Sequence, residues 1–167
     1  AGFSTFSLGD FTNAGLLAVA VLMFMGASPG STGGGIKTST VFTLFHFIKG
    51  AATNQPAGAF HYRISQEAFY KAAIVTTLSA CVVAVGSFLV CIIEPHLPFI
   101  DVLFEVPSAF GTVGLSTGIT PNLLPTAKFV LIVIMYIRRL GALTIASQWV
   151  FRPDSAIAYP EGNISIG

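Results

Sequence analysis

A run of about 22 residues without a single charge, Ala72–Ile93, limits the folds open to this chain. As a helix it would be about 33 Å long, which is enough to cross a bilayer. Of the 167 residues, 53% are hydrophobic and only 9% are charged, and the mean hydropathy is +0.79. Too few polar side chains are present to cover a soluble globule, and a net charge of +1 offers no basic surface to nucleic acid. The sequence therefore predicts an all-α integral membrane protein.

The other apolar segments are broken or short. Phe11–Ile36 carries no charge, but Ser28–Gly35 interrupts it with residues that end helices, and a short helix is predicted to follow at Thr38–Ile48. Phe99–Phe110, at about 12 residues, spans about half a bilayer and predicts a re-entrant helix. A last apolar helix is predicted over Thr126–Phe151.

Lysine and arginine predict the orientation, because cytoplasmic loops carry an excess of both. Three of them lie in residues 49–71 and one lies in residues 94–128, so the first of these segments is predicted to be cytoplasmic. The predicted organisation is a Gly-centred loop and a broken helix at 1–50, a cytoplasmic loop at 51–71, a complete second unit at 72–151 and a cytoplasmic tail at 152–167.

An internal repeat relates the two ends of the chain. The segment centred on Gly2, Ala1–Thr5, matches Val113–Thr117, and Met23–Gly26 matches Met135–Arg138 in the same register, 112 positions later. Each unit runs from a Gly-centred loop into an apolar helix. The second unit also has a preceding span and half-helix, which the first is expected to have lost to truncation.

The Gly-centred loops suggest a cation filter. Irregular backbone at membrane depth persists only where protein shields it or water reaches it, and there its carbonyl oxygens can replace the hydration shell of an ion. Glycine permits the close approach and unusual dihedral angles that such a loop needs. The half-helix before Thr112–Leu115 would direct its negative C-terminal dipole at the ion. The alternative is a tight extracellular turn.

Four segments resemble the Trk/Ktr/HKT superfamily of potassium transporters, namely Ala1–Thr5, Gly26–Thr38, Ser108–Ser116 and, for the Ktr membrane subunit in particular, Tyr159–Gly167. The resemblance implies four span–pore-helix–span repeats around one pore, of which this chain would supply the end of the third and all of the fourth. It also implies potassium uptake by a plasma-membrane homodimer that rests on a cytosolic ring of nucleotide-binding regulatory subunits. Sodium often assists transport in the Ktr branch, so the resemblance also implies sodium-assisted uptake.

The resemblance also implies site residues. Potassium would rest on backbone carbonyls at Gly2, Thr112, Val113 and Gly114. The implied filter comprises Ala1, Gly2, Phe3, Thr112, Val113, Gly114 and Leu115, and the implied gate comprises Gly30, Ser31, Thr32, Gly33, Gly34, Gly35, Lys37 and Arg139. For the glycine-rich segment a kink packed by small residues is an alternative. A nucleotide-binding loop is disfavoured, because Lys37 comes one residue late and no strand precedes it.

Arg138 and Arg139 interrupt the last apolar helix and should face a cavity or a partner. The resemblance places Arg139 in the pore below the filter and makes Arg138 a departure, since a glycine is expected there. A snorkelling or salt-bridged pair at the interface is the alternative. Glu94, Asp101 and Glu105 are interpreted as solvated caps on an external loop, with a cation-attracting vestibule as the alternative.

No catalytic constellation is supported, so an enzyme is not predicted. The function predicted is potassium uptake. The alternatives are a sodium-selective member of the same superfamily, a transporter of another class, and a non-conducting membrane scaffold. A half-helix that points its N-terminus at the site would indicate an anion carrier, whereas here the Gly-centred loop follows the C-terminus.

Overall fold

The computed structural model describes residues 2–31, 33–55, 58–59 and 62–140. Ala1 and Thr32, predicted for the filter and the gate, lie outside the described residues. So do residues 141–167, over which the sequence predicts the end of the last helix and a tail. Five helices are present in the described part: α1 Asn13–Phe24, α2 Thr38–Thr53, α3 Gln66–Ile93, α4 Phe99–Gly111 and α5 Pro125–Leu140. Two 3-10 turns, Leu8–Asp10 and Thr120–Asn122, and a two-residue hairpin, β1 Gly58–Ala59 with β2 Tyr62–Arg63, complete the description.

The longest helix, α3, contains the predicted membrane span. The Ser65 hydroxyl caps its start by accepting a hydrogen bond from the Ala68 amide, 3.3 Å away. Among the described helices, α3 is the one that is long and apolar enough to cross a membrane. Large side chains such as Phe88 and Ile92 are 66% and 60% exposed, which suits contact with lipid. The prediction of a long apolar helix over Ala72–Ile93 is confirmed, and its crossing of a membrane stays a prediction.

The short helix α4 lies at the centre of the fold. It packs against α1, α3 and α5, and its Val102, Phe104 and Val106 are fully buried. Its 13 residues give about 20 Å of helix, so the prediction of a short apolar helix of about half a bilayer is confirmed. Its re-entry into a membrane stays a prediction.

The repeat detected in the sequence has structural counterparts in the same register. The turn Leu8–Asp10 corresponds to Thr120–Asn122, and the first residue of α1, Asn13, corresponds to the first residue of α5, Pro125. Both leading glycines have positive φ, 72° at Gly2 and 83° at Gly114. The two segments therefore fold alike, from a left-handed glycine through a 3-10 turn into an apolar helix.

The predicted interruption after the first apolar helix is present, but it begins earlier than Ser28. α1 ends at Phe24 because the backbone then pairs with the far end of the loop. The Gly26 amide donates to the Ile36 carbonyl and the Ile36 amide donates to the Phe24 carbonyl, both at 2.8 Å. The loop 25–37 thus closes on itself before α2 begins at Thr38.

The segment 51–71 is partly helical, which the sequence did not predict. α2 continues to Thr53, where Asn54 turns the chain in a left-handed conformation, with φ 52°. α3 already begins at Gln66. The connection is therefore residues 54–65 and contains the small hairpin, an exception to a fold that is otherwise helical over the described ranges.

Candidate cation filter and the loop against it

The two Gly-centred loops, distant in sequence, meet in the structure. A Cβ added to Gly2 would lie 2.8 Å from the Gly114 carbonyl oxygen and 3.1 Å from its carbon. Both residues have left-handed φ angles, which glycine adopts without strain. Only glycine therefore fits at Gly2, and the backbones of the two predicted filter segments touch there.

Helix α4 delivers the second loop. It ends at Gly111, and Thr112 reverses the chain in a left-handed conformation with φ 52°. The partial negative charge of the helix C-terminus is therefore directed towards residues 112–114. This confirms the predicted order of half-helix and Gly-centred loop.

The side chains of the second loop hold it in place and leave its backbone oxygens available. Val113 and Leu115 pack against a buried apolar cluster that includes Leu8 and Phe104. The carbonyl oxygens of Thr112, Val113 and Gly114 accept no hydrogen bond from any residue that the structure describes.

Among the other predicted filter residues, the Leu115 carbonyl does have a partner, the Ser108 hydroxyl at 2.5 Å. Phe3 is 94% exposed. Within the described ranges no three His, Cys, Asp or Glu residues gather as metal ligands.

The glycine-rich loop lies directly against the end of α4. The Gly34 amide is 3.1 Å from both the Gly111 carbonyl oxygen and the Thr112 Oγ1, so one donor serves two acceptors. A Cβ on Gly34 would collide with the Gly111 carbonyl. A Cβ on Gly111 would lie 2.6 Å from the Met23 carbonyl oxygen on the other side. The predicted gate and the base of the predicted filter are thus in backbone contact.

Lys37 fastens the loop to itself. Its ammonium group donates to the Ser31 carbonyl at 2.7 Å and to the Gly33 carbonyl at 3.0 Å. The Ser31 hydroxyl in turn accepts from the Gly33 amide at 3.1 Å, while Gly30, with φ 87°, has open space around it. A lysine that binds carbonyls of its own loop is not poised as a phosphate ligand.

Arg138 binds the loop from α5. Its guanidinium donates to the Gly35 carbonyl and lies 5.6 Å from the centre of the Phe110 ring. The neighbouring Arg139, predicted for the gate, is exposed in the described part of the chain, and its role stays a prediction. The sequence indicated only that an arginine in an apolar helix needs a partner. It did not identify Arg138 as the one that touches the loop.

Two of the acidic residues are not solvated caps, so that interpretation is wrong. Glu94 is 2% exposed and Glu105 is 6% exposed, whereas Asp101 is half-buried. A Glu94 oxygen accepts from the Leu124 amide at 2.5 Å and joins the end of α3 to the start of α5. Glu105 binds three groups that follow the second loop. The sequence signal that was missed is a carboxylate within the apolar α4.

Known proteins resemble the whole chain. The family described as TrkH cation transport protein matches residues 1–157. The chain is 36% identical to Ktr system potassium uptake protein B of Bacillus subtilis over all of its length, and 37% identical to Ktr system potassium uptake protein D of the same organism over 86% of its length. It is 38% identical, over all of its length, to the potassium/sodium uptake protein NtpJ of Enterococcus hirae.

The chain spans 38%, 32% and 39% of the lengths of these three relatives. The family match covers most of the chain and includes both Gly-centred loops and the glycine-rich loop. The chain therefore belongs to the TrkH family of cation transport proteins.

Proposed function

We propose that this chain belongs to the translocating subunit of a potassium uptake system in the plasma membrane. It would contribute the third-repeat filter segment, the fourth repeat and the broken helix between them. The observation that carries the proposal is the contact of two left-handed glycines, Gly2 and Gly114, at the negative end of the buried helix α4. The names of the curated relatives, which refer to potassium or potassium and sodium uptake, support the same reading.

The physical mechanism follows from the backbone. A dehydrated potassium ion would exchange its water oxygens for carbonyl oxygens at Gly2, Thr112, Val113 and Gly114. The dipole of α4 lowers the electrostatic cost of that exchange. With one glycine in each repeat, the filter would offer fewer closely stacked sites than a filter with two.

The gate would be the glycine-rich loop 30–35 with Lys37 and Arg139. An unwound polar segment can change between two backbone arrangements where a continuous helix cannot. The hydrogen bond from the Gly34 amide to the Gly111 carbonyl supports this proposal, because movement of the loop would then change the end of α4 below the ion.

The proposed setting follows the resemblance. The subunit would form a homodimer in a bacterial inner membrane, bind a cytosolic ring of nucleotide-binding regulatory subunits, and carry potassium with assistance from sodium. Residues 51–71 and 152–167 would face the cytoplasm, which the excess of lysine and arginine in residues 49–71 supports. The outer helix, half-helix, filter and inner helix of residues 72–151 would then form one of four repeats.

Two other functions remain as alternatives. A sodium-selective transporter is favoured by one observation, the identity of 38% to a relative named for both potassium and sodium uptake. A non-conducting scaffold would keep the same fold, since the described segments include only two Gly-centred loops and a four-repeat pore needs four.

The test is rubidium and potassium uptake by the full-length protein in cells that lack their own potassium uptake systems. Gly114→Ser is compared with wild type at equal amounts in the membrane. Loss of potassium affinity or of discrimination against sodium in the variant would support the proposal. Wild-type uptake with an unaltered variant would refute the filter assignment. Sodium uptake alone would favour the sodium-selective alternative, and no uptake would favour the scaffold.

A further inference from the structure

One buried carboxylate holds the chain immediately after the predicted filter. Glu105 Oε1 accepts hydrogen bonds from the Ser116 hydroxyl and from the Thr117 amide, the latter at 3.1 Å. Its Oε2 accepts from the Thr120 hydroxyl at 2.9 Å. These donors lie 11 to 15 residues after Glu105, so the contacts connect the pore-helix candidate α4 with the far side of the Gly-centred loop. Three donors converge on an acceptor that is 6% exposed.

A second fastening lies one helical turn further along α4. The Ser108 hydroxyl donates to the Leu115 carbonyl at 2.5 Å. Residues three apart on a helix share a face, so Glu105 and Ser108 hold consecutive residues of the same returning segment. Ser116 is held a second time, because its Oγ accepts a hydrogen bond from the Gly118 amide at 2.9 Å.

The backbone segment between these two sets of contacts is residues 112–114. This segment begins directly after α4, and the Gly34 amide donates a hydrogen bond to the carbonyl of Gly111, the last residue of α4. At its end it is held by Ser108 and Glu105. Left-handed residues such as Thr112 are costly unless their surroundings fix them. Removal of the fastening at the far end would let the carbonyl oxygens between move apart.

We infer that Glu105 is a positioning residue that determines the cation specificity of the filter. Its carboxylate would fix the spacing at which the carbonyls of residues 112–114 meet an ion, without touching the ion itself. This inference rests on the proposed function, since it deepens the assignment of these residues as a filter.

A carboxylate satisfies the three donors at this position better than an amide does. The three groups around Glu105 are all donors, and an ionised carboxylate accepts at both oxygens. A glutamine keeps one accepting oxygen and turns the other position into a donor, so the Thr120 hydroxyl would have to turn round and accept. An alanine removes every acceptor. The effect on the filter should therefore increase from Glu105→Gln to Glu105→Ala.

The experiment uses the full-length protein, purified and also expressed in cells without their own potassium uptake. The apparent affinity for rubidium and the inhibition of rubidium uptake by sodium are measured for Glu105→Gln and Glu105→Ala. The matched control is Glu94→Gln, a second buried carboxylate that accepts from Leu124 and is remote in sequence from the loop. We expect Glu105→Ala to lower the preference for rubidium over sodium by about ten-fold or more, the scale of lost hydrogen bonds to a charged acceptor.

Glu105→Gln should fall between Glu105→Ala and wild type, and Glu94→Gln should lower the amount of protein without altering the preference. A second measurement serves for variants that reach the membrane poorly. It is the increase in the midpoint of thermal unfolding of the purified protein when potassium or sodium is added. It should fall selectively for potassium in Glu105→Ala. Wild-type preference and wild-type stabilisation in Glu105→Ala would overturn the inference and leave the proposed function intact. A wild-type protein that neither transports nor is stabilised by any monovalent cation would overturn both.

Discussion

The contact between the two predicted filter glycines is asymmetric, and this asymmetry makes a sharp prediction. A Cβ on Gly2 would lie 2.8 Å from the Gly114 carbonyl oxygen, whereas a Cβ on Gly114 would lie 3.5 Å from the Gly2 Cα. The first distance is a backbone collision and the second is an ordinary contact. Gly2→Ala should therefore displace both segments, and Gly114→Ala should strain one.

The expected magnitudes follow from two costs. Both residues have left-handed φ angles, 72° and 83°, and an alanine there costs about 1–2 kcal/mol. At Gly2 the collision adds about 1–3 kcal/mol, the usual scale of overpacking. Because 1.4 kcal/mol corresponds to about ten-fold, Gly2→Ala should lower apparent potassium affinity by roughly five- to 150-fold more than Gly114→Ala.

The assay is the concentration dependence of rubidium uptake by the full-length protein, normalised to protein in the membrane, with sodium as competitor. Gly30→Ala is the control for backbone strain, because Gly30 lies outside the filter, has a φ of 87°, and a Cβ there would meet nothing within 4 Å. The control should lower stability and leave selectivity unchanged. If Gly114→Ala impaired affinity as much as Gly2→Ala, or more, the contact between Gly2 and the Gly114 carbonyl would not govern the filter.

Three further predictions concern the loop 25–37. Gly34→Ala should break the contact with Gly111 and raise both the maximal uptake rate and the half-saturating potassium concentration; an unchanged maximal rate would contradict a gating role. Arg138→Gln should weaken the binding of the loop at Gly35 by about 1.5–3 kcal/mol and raise the maximal uptake rate in the same way. The double variant Gly34→Ala/Arg138→Gln should raise the rate by less than the sum of the two single effects, because both substitutions release the same loop. Lys37→Met removes two hydrogen bonds within the loop and should speed amide exchange there, measured by mass spectrometry, without altering exchange in α4.

Much of the helical organisation could be predicted because it depends on local composition. The uncharged run in α3 and the short apolar α4 each carry their own length and hydropathy. The repeat predicted more, because the offset between Gly2 and Gly114 also relates the starts of α1 and α5. Local sequence patterns therefore predict a helix where its length and composition alone determine it.

The errors fall where the deciding partner is distant in sequence. The sequence predicts solvated side chains at Glu94 and Glu105 because their partners lie 11 to 30 residues away, and nothing in the local pattern shows that those amides and hydroxyls will meet them. The end of α1 at Phe24 depends on Ile36 in the same way. Arg138 and Arg139 are adjacent, and about 100° of rotation on a helix separates them. Which of them contacts Gly35 is decided by packing against α4 and the loop.

The glycines of the loop explain why filter and gate would act together. Gly26 and Gly35 lie at the two ends of the loop, and a Cβ added to either would collide with the backbone of the other. A Cβ on Gly35 would lie 2.6 Å from the Gly26 Cα. Gly34 and Gly111 are in equally close backbone contact. These contacts are made between backbone atoms, and closely packed interiors transmit displacement from one segment to the next. A movement of the loop that releases Gly34 therefore removes a hydrogen bond from Gly111, the residue that ends α4 three positions before Gly114. Opening below the ion and loosening of its carbonyl ligands would be one mechanical event.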